Sequence, residues 1–378
     1  MTTDTWFYPA DIADDLVDSG LPDEVVAETL ACAWEYVRCV IPQFTNWDRY
    51  LAFTRVIVIG IIAEFRGHLV DVVSDGHPLG YDLDELLDTV FKGTPGHEEM
   101  AREYRAFLLV TADKSSDRRD SELFRRYVNA LARSPRDWFR LRDCDALARF
   151  TIAAALACND FDDTWFDEEE FQVLTELGDT LYDAVAYYKH RAEGETNSTF
   201  AYVGRELRNE SYRRCREVLW ALDAAWAHSP EHRPVVNFLR YFGGPIHMMM
   251  RRYRFTEEDL TIGLPEDEDV VTQTRRNVKL WNRVDVTGRS VHDVRYATVV
   301  ARSEELMFPG LAEALEESVV GHCEDCRHRL SYGAEGLGRF GGVELCDRCR
   351  EEWQAYLRSF PTRAAAVFPV LRSPRPGA

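Results

Sequence analysis

The sequence predicts an all-α fold, a bundle of long helices followed by a small cysteine-rich module, and three observations carry that prediction. Apolar residues recur at helical spacing through most of the first 318 positions, strand-like alternation is nearly absent, and the composition changes sharply past residue 319. At 378 residues with 46% hydrophobic content, the chain can bury a substantial core.

The helical pattern is plainest in PDEVVAETLACAWEYVRCVI, DRYLAFTRVIVIGIIAEFRGHLVDVV, DALARFTIAAALACN and DEEEFQVLTELGDTLYDAVAYYKHRAE. Pro22-Asp23-Glu24 and Asp167 through Glu170 place acids where a helix N-terminus favours negative charge. Breaks are expected at Gly76-His77-Pro78, Gly93-Thr94-Pro95-Gly96, Ser134-Pro135, Ser229-Pro230 and Gly243-Gly244-Pro245. This organisation sets a helical domain at 1–318, the module at 319–351, and a final helix starting near Glu351 with a disordered tail within 352–378. In such a bundle the ligand site lies between facing helices.

A net charge of -20 repels phosphate backbones and no basic patch offsets it, so nucleic acid is not an expected partner. The apolar run VIVIGIIA is too short to cross a bilayer, and MTTDTWFYPADIADD has acids where a signal peptide needs basic residues; a cytoplasmic protein is expected. The composition leaves homodimerisation open.

Four of the nine cysteines sit in HCEDCRHRLSYGAEGLGRFGGVELCDRC as Cys323-x-x-Cys326 and Cys346-x-x-Cys349, nineteen residues apart. That spacing is of two knuckles offering four thiolates to one tetrahedral zinc ion. A closed four-thiolate shell makes the metal structural, holding a segment too small for its own core.

Acidic stripes supply the candidate chemistry. Continued helix through Asp71 would set Glu64, His68 and Asp71 within an arc of about 60°, and Asp179, Asp183, His190 and Glu193 within about 80°. Carboxylates gathered this way suit magnesium, which recruits substrate phosphates; the plain alternative is two solvated helix faces. A third cluster, Asn159 through Asp167, resembles the aspartate-rich magnesium motifs of isoprenoid enzymes, or is a helix N-cap with its first turn. Lys189, Arg191, the run Arg251-Arg252-Tyr253-Arg254, and Arg136, Arg140 and Arg142 offer guanidinium and ammonium groups for a diphosphate. Tyr187, Tyr188, Phe200, Tyr202, Phe242 and Trp281 are among the rings that would line an apolar pocket or simply form core.

The blocks WFYPADIADDL, ACAWEYVRCVIP, GIIAEFRG, GTPGHEEMAREY, GDTLYDAVAYYKHRAEGETNSTFAYV, FGGPIHMMMRRYRF and SEELMFPGLAE, together with the paired Cys-x-x-Cys, resemble the α-ionylideneethane synthases of fungal abscisic acid biosynthesis, from about Trp6 to about Phe368. The resemblance implies a class I terpene-synthase-like bundle that takes farnesyl diphosphate, expels diphosphate and releases the sesquiterpene α-ionylideneethane or a close isomer. It also implies passage through a neutral polyene, which calls for an acid beside the pocket. The common metal motifs of such enzymes are not intact: around Asp183, the places of asparagine, serine and glutamate in N-D-x-x-S-x-x-x-E hold Tyr182, Ala186 and His190.

On helical geometry, the expected magnesium ligands are Glu64, Asp71, Asp179 and Asp183. Arg140, Lys189, Arg191 and Asn197 are expected at the diphosphate. Arg252 and Tyr253 join them by resemblance to an arginine-tyrosine pair late in terpene synthases. His68, His190, Glu195 and Tyr187 are the expected proton-handling or cation-facing groups. Two rivals stand beside this reading: a related synthase on the same scaffold that releases an acyclic or differently cyclised hydrocarbon, and, from another class, a non-catalytic helical binding protein whose zinc knuckle recruits a protein partner.

Overall fold

The computed structural model describes residues 6–131, 133–187, 190, 198–250, 293–320, 323–328 and 343–372. Within them the chain runs through α1 (Asp23–Val40), α2 (Trp47–Phe65), α3 (Leu83–Phe91), α4 (His97–Lys114), α5 (Glu122–Leu131), α6 (Pro135–Ala146), α7 (Ala148–Ala157) and α8 (Glu168–Val185). Then come α9 (Thr199–Val203), α10 (Arg208–Ala225), α11 (Arg233–Phe242), α12 (Ile246–Met249), α13 (Asp293–Ala301), α14 (Ser303–Leu306) and α15 (Leu311–Val320). A two-stranded antiparallel ribbon follows, β1 (Arg327–His328) with β2 (Val343–Glu344), pairing Arg327 with Glu344 and His328 with Val343. Helices α16 (Asp347–Arg358) and α17 (Phe360–Val367) come last.

Local chemistry explains the boundaries. Asn46 caps α2 by accepting from the Arg49 N–H at 3.1 Å, and Asp82 caps α3 through Glu85 at 3.0 Å. Ser134 caps α6 ahead of Pro135, and Asp167 and Glu170 close a reciprocal capping box on α8 at 2.9 and 3.0 Å. Asp160 and Asp162 tie the loop before α8 to α2 through Thr45, Asn46 and Arg49. The acidic cluster at 159–167 is therefore a strap and a cap.

Two helices are apolar nearly all round and form the centre. Every residue of α7 is buried, and α2 is buried from Tyr50 through Ala63 except at Arg55. Phe150 of α7 meets Phe91 of α3 and Tyr104 of α4 at 5.1 Å between ring centres, and the Tyr104 hydroxyl donates to the Val56 carbonyl at 2.6 Å. Truncating a ring so enclosed costs about 3–5 kcal/mol.

The first acidic stripe does not form. Helix α2 ends at Phe65; His68 lies on a separate 3₁₀ turn, Gly67–Leu69, and Asp71 beyond it. The cause is tertiary. Gly67 sits so close to the end of α4 that a Cβ on it would lie 2.1 Å from the Ala112 carbonyl oxygen. Its N–H donates to Ser115 Oγ at 3.1 Å, and Arg118 donates to the Gly67 and Val70 carbonyls at 2.9 and 3.0 Å. These bonds replace the helical ones that would have carried α2 onward.

The helix expected from Glu351 is α16, which begins four residues earlier and is followed by a second, α17, where one helix was expected; it is packed into the bundle. Trp353 is 1% exposed and contacts Trp138 of α6 and Tyr202 of α9 at 5.4 and 5.1 Å. A 3₁₀ turn over Pro369–Arg372 takes in the first two residues of the tail LRSPRPGA that was expected to be disordered; the remainder of the tail lies outside the described residues. Among the described residues, no helix is long and apolar enough to cross a membrane.

Candidate active site

Asp179 and Asp183 lie one turn apart on α8 and are both fully buried, so this stripe is not a solvated face. Asp183 is saturated. Its Oδ1 accepts from Arg142 Nη2 at 2.8 Å, and its Oδ2 accepts from the Thr199 N–H at 2.7 Å and the Thr199 hydroxyl at 2.8 Å. Arg142 reaches on to Asp145 at 3.2 Å, and Asp145 accepts from Lys114 Nζ at 2.8 Å. The chain Lys114, Asp145, Arg142, Asp183 alternates in sign, which is what permits four buried charges.

Asp179 differs. Among the described residues, neither of its carboxylate oxygens has a hydrogen-bond partner. Burial pushes its carboxyl well above the usual carboxylate range, opposed by the Arg142 charge and reinforced by Asp143 and Asp183. A bare carboxyl group in a place this dry is costly unless something else arrives to use it.

Aromatic and imidazole rings close round this pair. The Tyr182 ring stacks on Phe242 at 4.8 Å and lies 4.5 Å from the His247 ring and 5.8 Å from that of His190. His190 Nδ1 is 3.7 Å from Asp183 Oδ1. His247, fully buried, reaches this position because Gly243 and Gly244 bring α12 down onto α8. A Cβ on Gly243 would meet Leu181 at 2.8 Å, and Gly244 has φ of +148°. Tyr187 is buried nearby, with the Arg208 guanidinium 5.6 Å from its ring centre.

A second buried ionic layer adjoins the first. Arg140 grips Glu103 through two bonds of 2.9 and 2.7 Å and lies 3.6 Å from the Phe308 ring centre. Arg149 binds Asp143 at 2.5 Å and Glu168 at 2.6 and 3.0 Å.

Several sequence expectations are corrected here. Among the described residues, only the four knuckle cysteines converge as a group of three or more that could hold an ion, so Glu64, Asp71, Asp179 and Asp183 do not form one cluster. Glu64 is half-buried at the end of α2, His68 is exposed, and Asp71 is held by Arg295 at 2.8 and 3.0 Å. Arg140 is not a free phosphate clamp, because its fork is filled by Glu103. Lys189, Arg191, Glu195, Asn197, Arg252 and Tyr253 lie outside the described residues. Sequence reasoning passed over His247, Thr199, Asp145 and Lys114 as site residues. Their types gave no signal, since only the third dimension joins four helices at Asp183.

In the module the Sγ atoms of Cys323, Cys326, Cys346 and Cys349 lie within 4.8 Å of one another, with Cys323 and Cys346 3.9 Å apart. A tetrahedron with Zn–S bonds near 2.3 Å needs sulfur atoms about 3.8 Å apart, so the donor set fits. Arg348 donates to Cys323 Sγ at 3.2 Å, and this bond, first among the causes, pulls the thiol down to about 6.

Comparison with known proteins finds relatives along nearly the whole chain. The family model described as "Alpha-ionylideneethane synthase aba3" matches residues 4–370. A relative from Botryotinia fuckeliana with that name is 66% identical over 371 residues, covering 98% of this chain and 84% of its own. A second from the same species is 68% identical over 329 residues, covering 87% and 79%. "Alpha-ionylideneethane synthase abl3" of Leptosphaeria maculans is 60% identical over 370 residues, covering 97% and 86%. A match of this length and identity fixes the kinship of the chain, which belongs to the alpha-ionylideneethane synthase aba3 family.

Proposed function

We propose that this chain is a sesquiterpene synthase that converts farnesyl diphosphate into α-ionylideneethane or a close isomer and releases diphosphate. The observation that carries the reading is the buried Asp179–Asp183 pair, of which one carboxylate is locked in an ion pair and the other has no hydrogen-bond partner among the described residues. Magnesium usually binds through one or two carboxylates together with substrate phosphates, and Asp179 is the residue with oxygens to spare. Such an ion would neutralise charge building on the departing diphosphate. A structural zinc in the four cysteines completes the metal complement.

The chain's own groups have distinct parts in this reading. Arg142, anchored at both ends by Asp145 and Asp183, sets a fixed positive charge beside Asp179. His190 and His247, against the Tyr182 ring, are the candidates to return a proton to a neutral hydrocarbon. Tyr182, Phe242 and Tyr187 present apolar faces to the prenyl chain. Lys189, Arg191, Asn197, Arg252 and Tyr253 remain proposed contacts of the diphosphate, and Glu195 a proposed proton carrier.

The test is incubation of the full chain with farnesyl diphosphate and magnesium, with volatiles identified by mass spectrometry and diphosphate release followed separately. Asp179→Asn should lower release by roughly a hundredfold or more with helicity unchanged, the scale of losing one electrostatic contact to a transition state. Parental turnover in that variant would overturn the assignment of the site.

A further inference from the structure

The four-cysteine module is joined to α8 by two short routes through side chains. Cys346 is the N-cap of α16 and Cys349 lies in its first turn. From Cys349, Trp353 and Tyr356 follow at i+4 and i+7, within an arc of about 60° on one face of the helix. Trp353 stacks on Tyr202 of α9, the planes 21° apart and the ring centres at 5.1 Å. Thr199 begins that same five-residue helix and places two hydrogen bonds on Asp183, from its N–H at 2.7 Å and its hydroxyl at 2.8 Å. Along the other route, the Tyr356 hydroxyl donates to Glu176 at 3.1 Å, seven residues before Asp183 on α8.

We infer that the metal module is a positioning device for the active site: by fixing the start of α16 it seats Trp353, which holds α9 and so keeps Thr199 on Asp183. Helix α9 is too short to be stable alone and depends on what packs against it. Trp353 supplies part of that packing, in a three-ring cluster with Tyr202 and Trp138, which also touch each other at 5.9 Å. Release of the four thiolates would free the first turn of α16, and the two bonds on Asp183 would open next.

The mechanical part of this inference stands on the contacts alone, whereas its effect on turnover rests on the function proposed above for Asp183. Amide hydrogen exchange across 199–203, measured on the full chain before and after zinc removal with a chelator and in Cys349→Ser, reads the first without any substrate. Exchange should quicken by roughly tenfold or more, the scale of one or two lost buried hydrogen bonds. Turnover should fall by a comparable factor. Where zinc removal unfolds the chain, Trp353→Ala with one zinc retained should give the same two effects, and Trp353→Phe should restore most of both. Unchanged exchange at 199–203 in zinc-free protein or in Trp353→Ala would overturn the inference. Faster exchange with parental turnover in both the zinc-free protein and Asp183→Asn would support the coupling and remove Asp183 from the site.

Discussion

Arg142 and Asp183 form an ion pair, 2.8 Å from Nη2 to Oδ1, with both side chains withdrawn from water. Removing one partner leaves the other charged and dry, which costs about 3–5 kcal/mol, whereas replacing both with apolar groups of similar size is far cheaper. Arg142→Met is therefore expected to lower the urea midpoint sharply, and Arg142→Met with Asp183→Leu to recover part of the loss. Equilibrium unfolding of the two single variants and the double variant measures the coupling.

Asp179 gives the opposite sign. Its folded-state carboxyl is raised well above the usual range by burial, so the stability it contributes is present at pH values below its unfolded pKa and is lost as pH rises through the folded value. In the absence of divalent cations, Asp179→Asn should be stabilised relative to the parent more at pH 8 than at pH 5. Thermal melts in chelator at the two pH values test this, and added magnesium should narrow the difference by stabilising the parent.

Glu176 and Arg363 provide a peripheral counterpart. Arg363 donates to both Glu176 oxygens at 2.8 and 2.5 Å, and burial leaves the Glu176 carboxyl raised in spite of that help. Arg363→Gln would raise it further. The stability loss should therefore be small in mild acid, where Glu176 is protonated, and approach roughly 3–5 kcal/mol in alkaline buffer. Urea midpoints across that range give the slope.

Gly67 is the sharpest steric test of the α2 terminus. A methyl group there would collide with backbone, the Ala112 carbonyl oxygen, and backbone cannot rotate aside as a side chain does. Gly67→Ala should cost at least the roughly 1–3 kcal/mol of ordinary overpacking, visible as a lowered Tm. Gly76→Ala, where a Cβ meets nothing within 4 Å, is the control and should leave the Tm near the parent value.

Much of the architecture could be read from the residues because it is local. Pro22 and the Gly243-Gly244-Pro245 break act through their own backbone, Ser134 and Asp167 through side chains that cap backbone three residues on, and each stands at a helix boundary in the folded chain. The cysteine knuckles were equally readable, since ligand spacing is a short-range property. Failure came where a distant partner decides. Nothing in GIIAEFRGHLVD announces that Ala112, Ser115 and Arg118 will end the helix at Phe65 and turn Asp71 toward Arg295. Arg140 and Arg142 are two residues apart and look alike in sequence, yet one is bound to Glu103 and the other to Asp183.

The two ionic layers threaded through α4, α6, α7 and α8 also constrain how such a catalyst can diversify. Each member is held by an opposite number on another rod, so a lone replacement strands its mate, and change there must come in matched sets. Rings such as Phe242 and Tyr187 are held by stacking and cation–π contacts, which demand no matched pair of opposite charges. On the function proposed above, drift toward new hydrocarbons is accordingly open at such rings and closed in the electrostatic scaffold beside them.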